Sequence, residues 1–319
     1  MGEHLRRTTF PRGCHSSGHA AFEGSACRRP GGARRTEAAF RTSEPGTVVA
    51  FPSNKGGVGK STLAVNSAVG LAQKSGKDVL LIDASLQMGI CATMLGLQPT
   101  STLVDVAVER DRLDATLLRQ LATPHESGVD LIAAPPSAID ADAIDEELIA
   151  QILTTGRRTY RHVVVDTFPI LDGTVISILD AADLTLVVLD NVVPTVLGAS
   201  KLTALLDELG QSRQRRRVLL NRFTKVEGHV GVDDVEATLD ADVDYVLPFD
   251  KKLMTAANLG RPIAQRRQRF SAFDRKIGQL VSEILAVRPS PGTTRLADVA
   301  ASQHREAAEF TAGNEGAGS

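Results

Sequence analysis

The sequence predicts an α/β fold with a doubly wound, mainly parallel sheet. Three observations carry that expectation. Short, continuously apolar runs recur through residues 46–287, helical periods separate several of them, and a glycine-rich turn joins the first run to the first helical period. Continuous apolar runs suit strands covered on both faces, and strand–helix alternation means parallel strands with ligands at their carboxyl ends.

Taken in order, TVVAFPS from Thr47 is a short β-branched run, and a helical pattern follows the turn from Ser61 to Lys74. KDVLLIDAS reads as a second buried strand ending at Asp83. VDLIAAP from Val129, RHVVVDT from Arg161, DLTLVVLD from Asp183, RRVLLNR from Arg216 and VDYVLPF from Val243 repeat the theme. Val196 to Leu209 carries Leu197, Leu202, Leu205, Leu206 and Leu209 at helical spacing. The last helix, Ser271 to Val287, aligns Phe273, Ile277, Leu280, Val281, Ile284 and Leu285 on one side, as a core-packing helix does.

The two ends differ from this middle. Residues 1–45 are rich in Arg, Gly and Ser and too poor in apolar residues to offset ordering entropy, so a disordered arm is expected there. A start assigned too far upstream would look the same. Cys14, His15, His19 and Cys27 match no common zinc spacing, and Arg6 stands where a myristoylation signal needs Ser or Thr. Residues 288–319 open RPSPGTT and close GNEGAGS, which is linker chemistry. The helical stretch they allow, Arg295 to Phe310, has a mostly Ala apolar side that would bind a membrane poorly, so no direct membrane helix is expected.

Composition excludes several classes. Apolar runs such as Leu186 to Leu189 fall far short of the roughly 20 residues of a membrane span. Three cysteines cannot build a disulfide framework, which makes a reducing cytoplasm the expected location. Aromatics are 4% of the chain, which argues against recognition by base stacking. The net charge of −2 predicts no general attraction to nucleic acid, although it conceals arginine clusters at 213–217 and 266–269.

The strongest signal is KGGVGKST, Lys55 to Thr62, between the first strand and the first helix. A chance match of this glycine, lysine and hydroxyl pattern is on the order of 10⁻⁴ or less at average composition. Backbone N–H groups of Gly56, Gly57, Val58 and Gly59 can converge on phosphate oxygens, and the helix from Lys60, Ser61 and Thr62 adds its positive end. Lys60 can neutralise β and γ phosphates, and the Ser61 hydroxyl can ligate Mg²⁺. Asn54 occupies the place where glycine is usual, and Lys55 is a second lysine beside it.

KGGVGKST resembles the deviant phosphate loop of the ParA/MinD superfamily of ATPases, and the resemblance extends over most of residues 46–265. It implies a P-loop NTPase fold of the SIMIBI type, ATP and Mg²⁺ as ligands, and a homodimer that forms with ATP. Lys55 would reach the partner protomer's phosphates, and Lys55, Lys60, Asp83 and Asp166 would carry the catalytic chemistry. Asp166 in VVVDT resembles the second acidic motif, so Ser61, Asp83 and Asp166 would hold the metal, and Thr167-Phe168-Pro169 would open the second switch. LLNRF resembles the adenine-recognising segment, here Asn221 with Arg222. Pro248-Phe249-Asp250, ahead of AANLGRPI, resembles the segment that closes over the base.

One departure bears on mechanism. Related ATPases commonly carry Asp-x-Asp at the end of the second strand, and this chain has Asp83 followed by Ser85. Serine is a poor base at neutral pH, so ATP binding with slow hydrolysis is expected, with Gln87 as a residue able to position water. LQMGICATMLGLQPTSTLVDVA, SGVDLIAAPPS and VVVDTFPILDGTVISILDAADLTLVVLD most resemble the CpaE/TadZ branch, associated with pilus assembly and polar positioning. That branch implies a protein partner that recruits the chain to a pole or to the inner membrane face. Two alternatives stand beside it: a partition ATPase binding DNA non-specifically as its ATP-bound dimer, and a nucleotide-gated scaffold with negligible turnover. Cys91 is the only cysteine within residues 46–287, which sets aside a relative with a cysteine-ligated cluster.

Overall fold

The structure, a computed structural model, describes residues 44–76, 78–265 and 271–289. Residues 1–43 of the expected N-terminal arm, residues 290–319 of the expected tail, and Arg266, Arg267 and Arg269 lie outside the described residues.

Eight strands among the described residues form one sheet: β1 (Thr47–Phe51), β2 (Val79–Ala84), β3 (Thr123–Pro124), β4 (Val129–Ile132), β5 (His162–Thr167), β6 (Leu184–Leu189), β7 (Arg216–Phe223) and β8 (Tyr245–Pro248). Their order is β3-β4-β2-β5-β1-β6-β7-β8, and every pairing is parallel except that of β3 with β4. The seven runs read from the sequence are the parallel strands. The two-residue β3 was not foreseen, because so short an edge pairing has no apolar period to show.

Helices cover both faces. On one lie α3 (Leu103–Val108), α4 (Ala115–Leu121), α5 (Glu146–Thr159), α6 (Gly173–Ala181), α7 (Val193–Glu208) and α8 (Val232–Leu239). On the other lie α1 (Lys60–Ser75), α2 (Cys91–Leu95), α9 (Lys251–Asn258) and α10 (Ala272–Ala286). The strands are buried on both sides because alternate residues serve different cores. In β1, Val48 and Ala50 pack with the first helical layer and Val49 and Phe51 with the second.

Local chemistry sets the helix ends. Ser271 and Asp274 form a capping box at the start of α10, whose Phe273, Ile277, Leu280, Val281 and Ile284 are buried as the spacing predicted. The helix expected from Val196 begins earlier, at Val193, because Pro194 sits in its first turn, where its missing N–H is no loss.

Candidate functional site

β1 lies between β5 and β6, so the loop leaving its carboxyl end opens at the switch point of the doubly wound sheet. Gly57 and Gly59 turn that loop with φ of 84° and 96°, a left-handed backbone that L side chains resist. Gly59 is the N-cap of the 16-residue α1 and supplies no side-chain cap, so the first-turn N–H groups face the loop. Lys60 is buried and folds back: Nζ donates to Ser53 Oγ at 2.9 Å, and Ser53 Oγ donates to the Lys55 carbonyl at 2.7 Å. Burial lowers the Lys60 pKa, and the Asp166 charge opposes that shift. Lys55 itself is exposed.

Asp83 and Asp166 face each other in register at the ends of β2 and β5. Both are buried. Burial, then the Asp83 charge, pushes the Asp166 carboxyl up to about 7, with Ser61, Lys60 and Cys91 pulling the other way. Burial raises Asp83 as well, against backbone N–H donors. Asp83 Oδ1 accepts from the Ser85 N–H at 3.2 Å and Oδ2 from the Cys91 N–H at 2.9 Å. Asp166 Oδ1 is buried with no hydrogen-bond partner. Two facing carboxylates with an unanswered oxygen, beside the neighbouring Ser61 hydroxyl, are a hard-oxygen donor set that fits Mg²⁺.

Two loops flank this pair. Ser85 is half-buried, and the exposed Gln87, Met88 and Ile90 follow it. On the other side Thr167 anchors its loop by donating Oγ1 to the Phe51 carbonyl at 3.1 Å, and Ile170 is exposed.

Asn221 and Arg222 reach the phosphate loop from β7. Asn221 Nδ2 donates to the Val58 carbonyl at 2.8 Å, while its Oδ1 is buried with no partner, an acceptor suited to a purine amino group. Arg222, with a positive φ of 54°, donates to the Gly57 carbonyl at 2.6 Å. Pro248 ends β8 and Phe249 is 45% exposed, its N–H donating to the Phe223 carbonyl at 3.3 Å. The Asp250 carboxylate caps α9 by accepting from the Lys252 N–H at 2.9 Å, a local role absent from the sequence reading.

Three site residues were missed by sequence reasoning. Ser53 holds Lys60. Gly198 of α7 packs against Asn54, so close that a Cβ there would overlap the Asn54 amide. Cys91 brings its thiol between the acidic pair. A cysteine in an otherwise ordinary buried run was the one signal that could have found it. The 213–217 arginine cluster also needs correction. Arg213 pairs with Asp207 at 2.8 Å, buried Arg216 with the same carboxylate at 2.7 Å, and Arg217 with Glu283 at 2.6 Å. Three of its cations are therefore matched by acids and do not form a free basic patch.

Known proteins are similar to this chain in sequence and in fold. A family described as the AAA domain matches residues 46–219. The septum site-determining protein MinD of Thermotoga maritima is 27% identical over 234 residues, 69% of this chain and 81% of that protein. The chromosome partitioning protein ParA of Caulobacter vibrioides is 29% identical over 248 residues, 70% of this chain and 88% of that protein. Among solved structures, a ParA family ATPase from Chlorobium tepidum superposes with a TM-score of 0.69 at 24% identity, covering 75% of this chain and 98% of that one. With the phosphate loop at the sheet's switch point, these matches make the chain a member of the AAA domain family and of the ParA/MinD superfamily of P-loop ATPases.

Proposed function

We propose that this protein is a magnesium-dependent ATPase that dimerises on ATP and organises or positions a cellular assembly, in the manner of the CpaE/TadZ branch. The observation that carries the reading is a phosphate loop with two lysines in different settings, Lys60 buried and held by Ser53, Lys55 exposed beside it. Lys60 and the α1 N-terminus bind and orient the phosphates of the bound nucleotide. Ser61, Asp83 and Asp166 hold Mg²⁺, which supplies charge neutralisation at those phosphates. Asn221 Oδ1 receives the base. Lys55 is free to enter a second protomer's site, where its charge stabilises the transferring phosphoryl group and couples nucleotide state to assembly.

The relatives' names support the positioning role, since one determines septum sites and the other partitions chromosomes. Ser85 offers no carboxylate to orient water, which favours slow turnover over the fast cycling of a motor. The DNA-binding alternative loses support, because Arg213, Arg216 and Arg217 already face carboxylates. Among the described residues no helix is long and apolar enough to cross a membrane. A cytoplasmic protein recruited to a pole or to the inner membrane face by a protein partner accords with these features.

The test is light scattering of the full chain with and without ATP and Mg²⁺, beside Lys55→Ala, followed by turnover assays with duplex DNA and with anionic vesicles. The wild type should dimerise only with nucleotide, Lys55→Ala should bind ATP and stay monomeric, and neither DNA nor vesicles should raise turnover. A wild type that binds ATP and remains monomeric would overturn the reading.

A further inference from the structure

The acidic pair has a third member. Cys91 opens α2, fully buried, with its Sγ 3.6 Å from Asp166 Oδ2 and its backbone N–H on Asp83 Oδ2. One ligand atom each from Asp83, Cys91 and Asp166 lies within 4.8 Å of the other two. Tetrahedral coordination at zinc or cadmium bond lengths needs ligands about 3.5 Å apart, within reach of small side-chain rotations from this starting point. Asp166 Oδ1 is buried with no hydrogen-bond partner. A thiol adds nothing to a magnesium site, because Mg²⁺ takes hard oxygen ligands.

We propose that Asp83, Cys91 and Asp166 form a binding site for a thiophilic divalent cation such as Zn²⁺ or Cd²⁺ in the nucleotide-free protein. The cation bonds to Sγ and to one oxygen of each carboxylate, and the thiol proton leaves to solvent. Water completes the coordination, as at zinc sites with three protein ligands and one open position. The Cys91 thiol lies against the Asp166 carboxylate and its N–H on Asp83 in a place closed to solvent, so one dication there can be answered by all three side chains at once. The 85–90 loop packs closely on this place: a Cβ at Gly89 would come within 2.8 Å of Asp83 Oδ2. The same two carboxylates serve Mg²⁺ in the nucleotide-bound reading, so a thiophilic cation competes with magnesium–ATP.

The probe is Cd²⁺, added to the full chain in a Cys14→Ser/Cys27→Ser background, where Cys91 is the remaining thiol. The readout is the ultraviolet thiolate-to-cadmium charge-transfer band, which histidine and carboxylate sites do not produce. The band should rise to saturation at one cation per chain, vanish in Cys91→Ser, and need at least tenfold more Cd²⁺ in Asp166→Asn. Circular dichroism of each variant confirms folding. No band in the thiol-bearing protein would overturn the site, and so would an unshifted titration in Asp166→Asn, which would mean a thiol acting alone. Calorimetry with magnesium–ATP separates the two readings: ATP binding without a band removes the thiophilic site alone, and a band without ATP binding removes the nucleotide reading alone.

Discussion

Asn221 on β7 donates its side-chain amide to the carbonyl of Val58 in the phosphate loop, 2.8 Å away and 163 residues distant in sequence. With Arg222 on the Gly57 carbonyl, this ties the loop's outer backbone to the far half of the sheet. Both bonds use carbonyls and so take up none of the loop's N–H groups, which stay available to an anion. Asn221→Ala should leave a buried carbonyl unanswered and let the loop move, at about 1–2 kcal/mol. ATP affinity, read by calorimetry, should fall about tenfold. Unchanged affinity would mean that the loop is held by its glycines alone.

On the proposed reading, Ser85 stands where a carboxylate would orient the attacking water. Its backbone N–H already binds Asp83 Oδ1, so its Cα is fixed beside the acidic pair. Ser85→Asp should raise steady-state ATP turnover at least tenfold, a cautious figure beside the roughly 10²–10⁴-fold typical of a positioned proton acceptor. A rate equal to or below wild type would show that the side chain at position 85 does not limit turnover.

Burial and the Asp83 charge shift the Asp166 carboxyl from 3.8 to about 7. Between those values the unfolded chain has released this proton while the folded chain keeps it, so rising pH favours unfolding. Stability from this group is present below 3.8 and lost as pH rises through about 7. Asp166→Asn cannot ionise. In thermal melts without nucleotide it should gain about 5 °C over wild type near pH 8 and almost nothing near pH 4. An equal gain at both would show that packing, and not charge, is responsible.

Much of this architecture could be read from the chain because parallel strands carry their signal locally. Val163, Val164 and Val165 are apolar in sequence and buried on both faces, and Asp166 follows at the strand end where ligands gather. The loop from Lys55 to Thr62 is likewise contiguous. What stayed hidden depends on partners distant in sequence. Arg217 reads as part of a basic cluster until Glu283, 66 residues on, closes on it. Cys91 reads only as a lone cysteine, too few for a ligated cluster, until Asp166, 75 positions away, accepts from its thiol. Asp250 belongs by resemblance to the base-closing segment, yet its carboxylate caps α9, because a residue just past a strand's end can begin a helix as well.

Asn54 and Gly198 form a pair of this second kind. Asn54 stands where phosphate loops usually carry glycine, and its amide occupies the space that any side chain at Gly198 would fill. Glycine inside a helix costs about 1 kcal/mol relative to alanine, so α7 gives up stability at this position. The structure accounts for that loss by the room it leaves for the loop's first residue. Gly198→Ala should therefore displace Asn54 and lower ATP affinity about tenfold. Asn54→Gly removes the obstacle. The double variant should recover wild-type affinity and also melt higher than wild type, because the alanine keeps its helix preference without the clash. Calorimetry and thermal unfolding on the four proteins give the coupling directly. Losses that simply add would mean that each residue acts alone, and recovery would establish that the substituted phosphate loop and the α7 glycine form one structural unit.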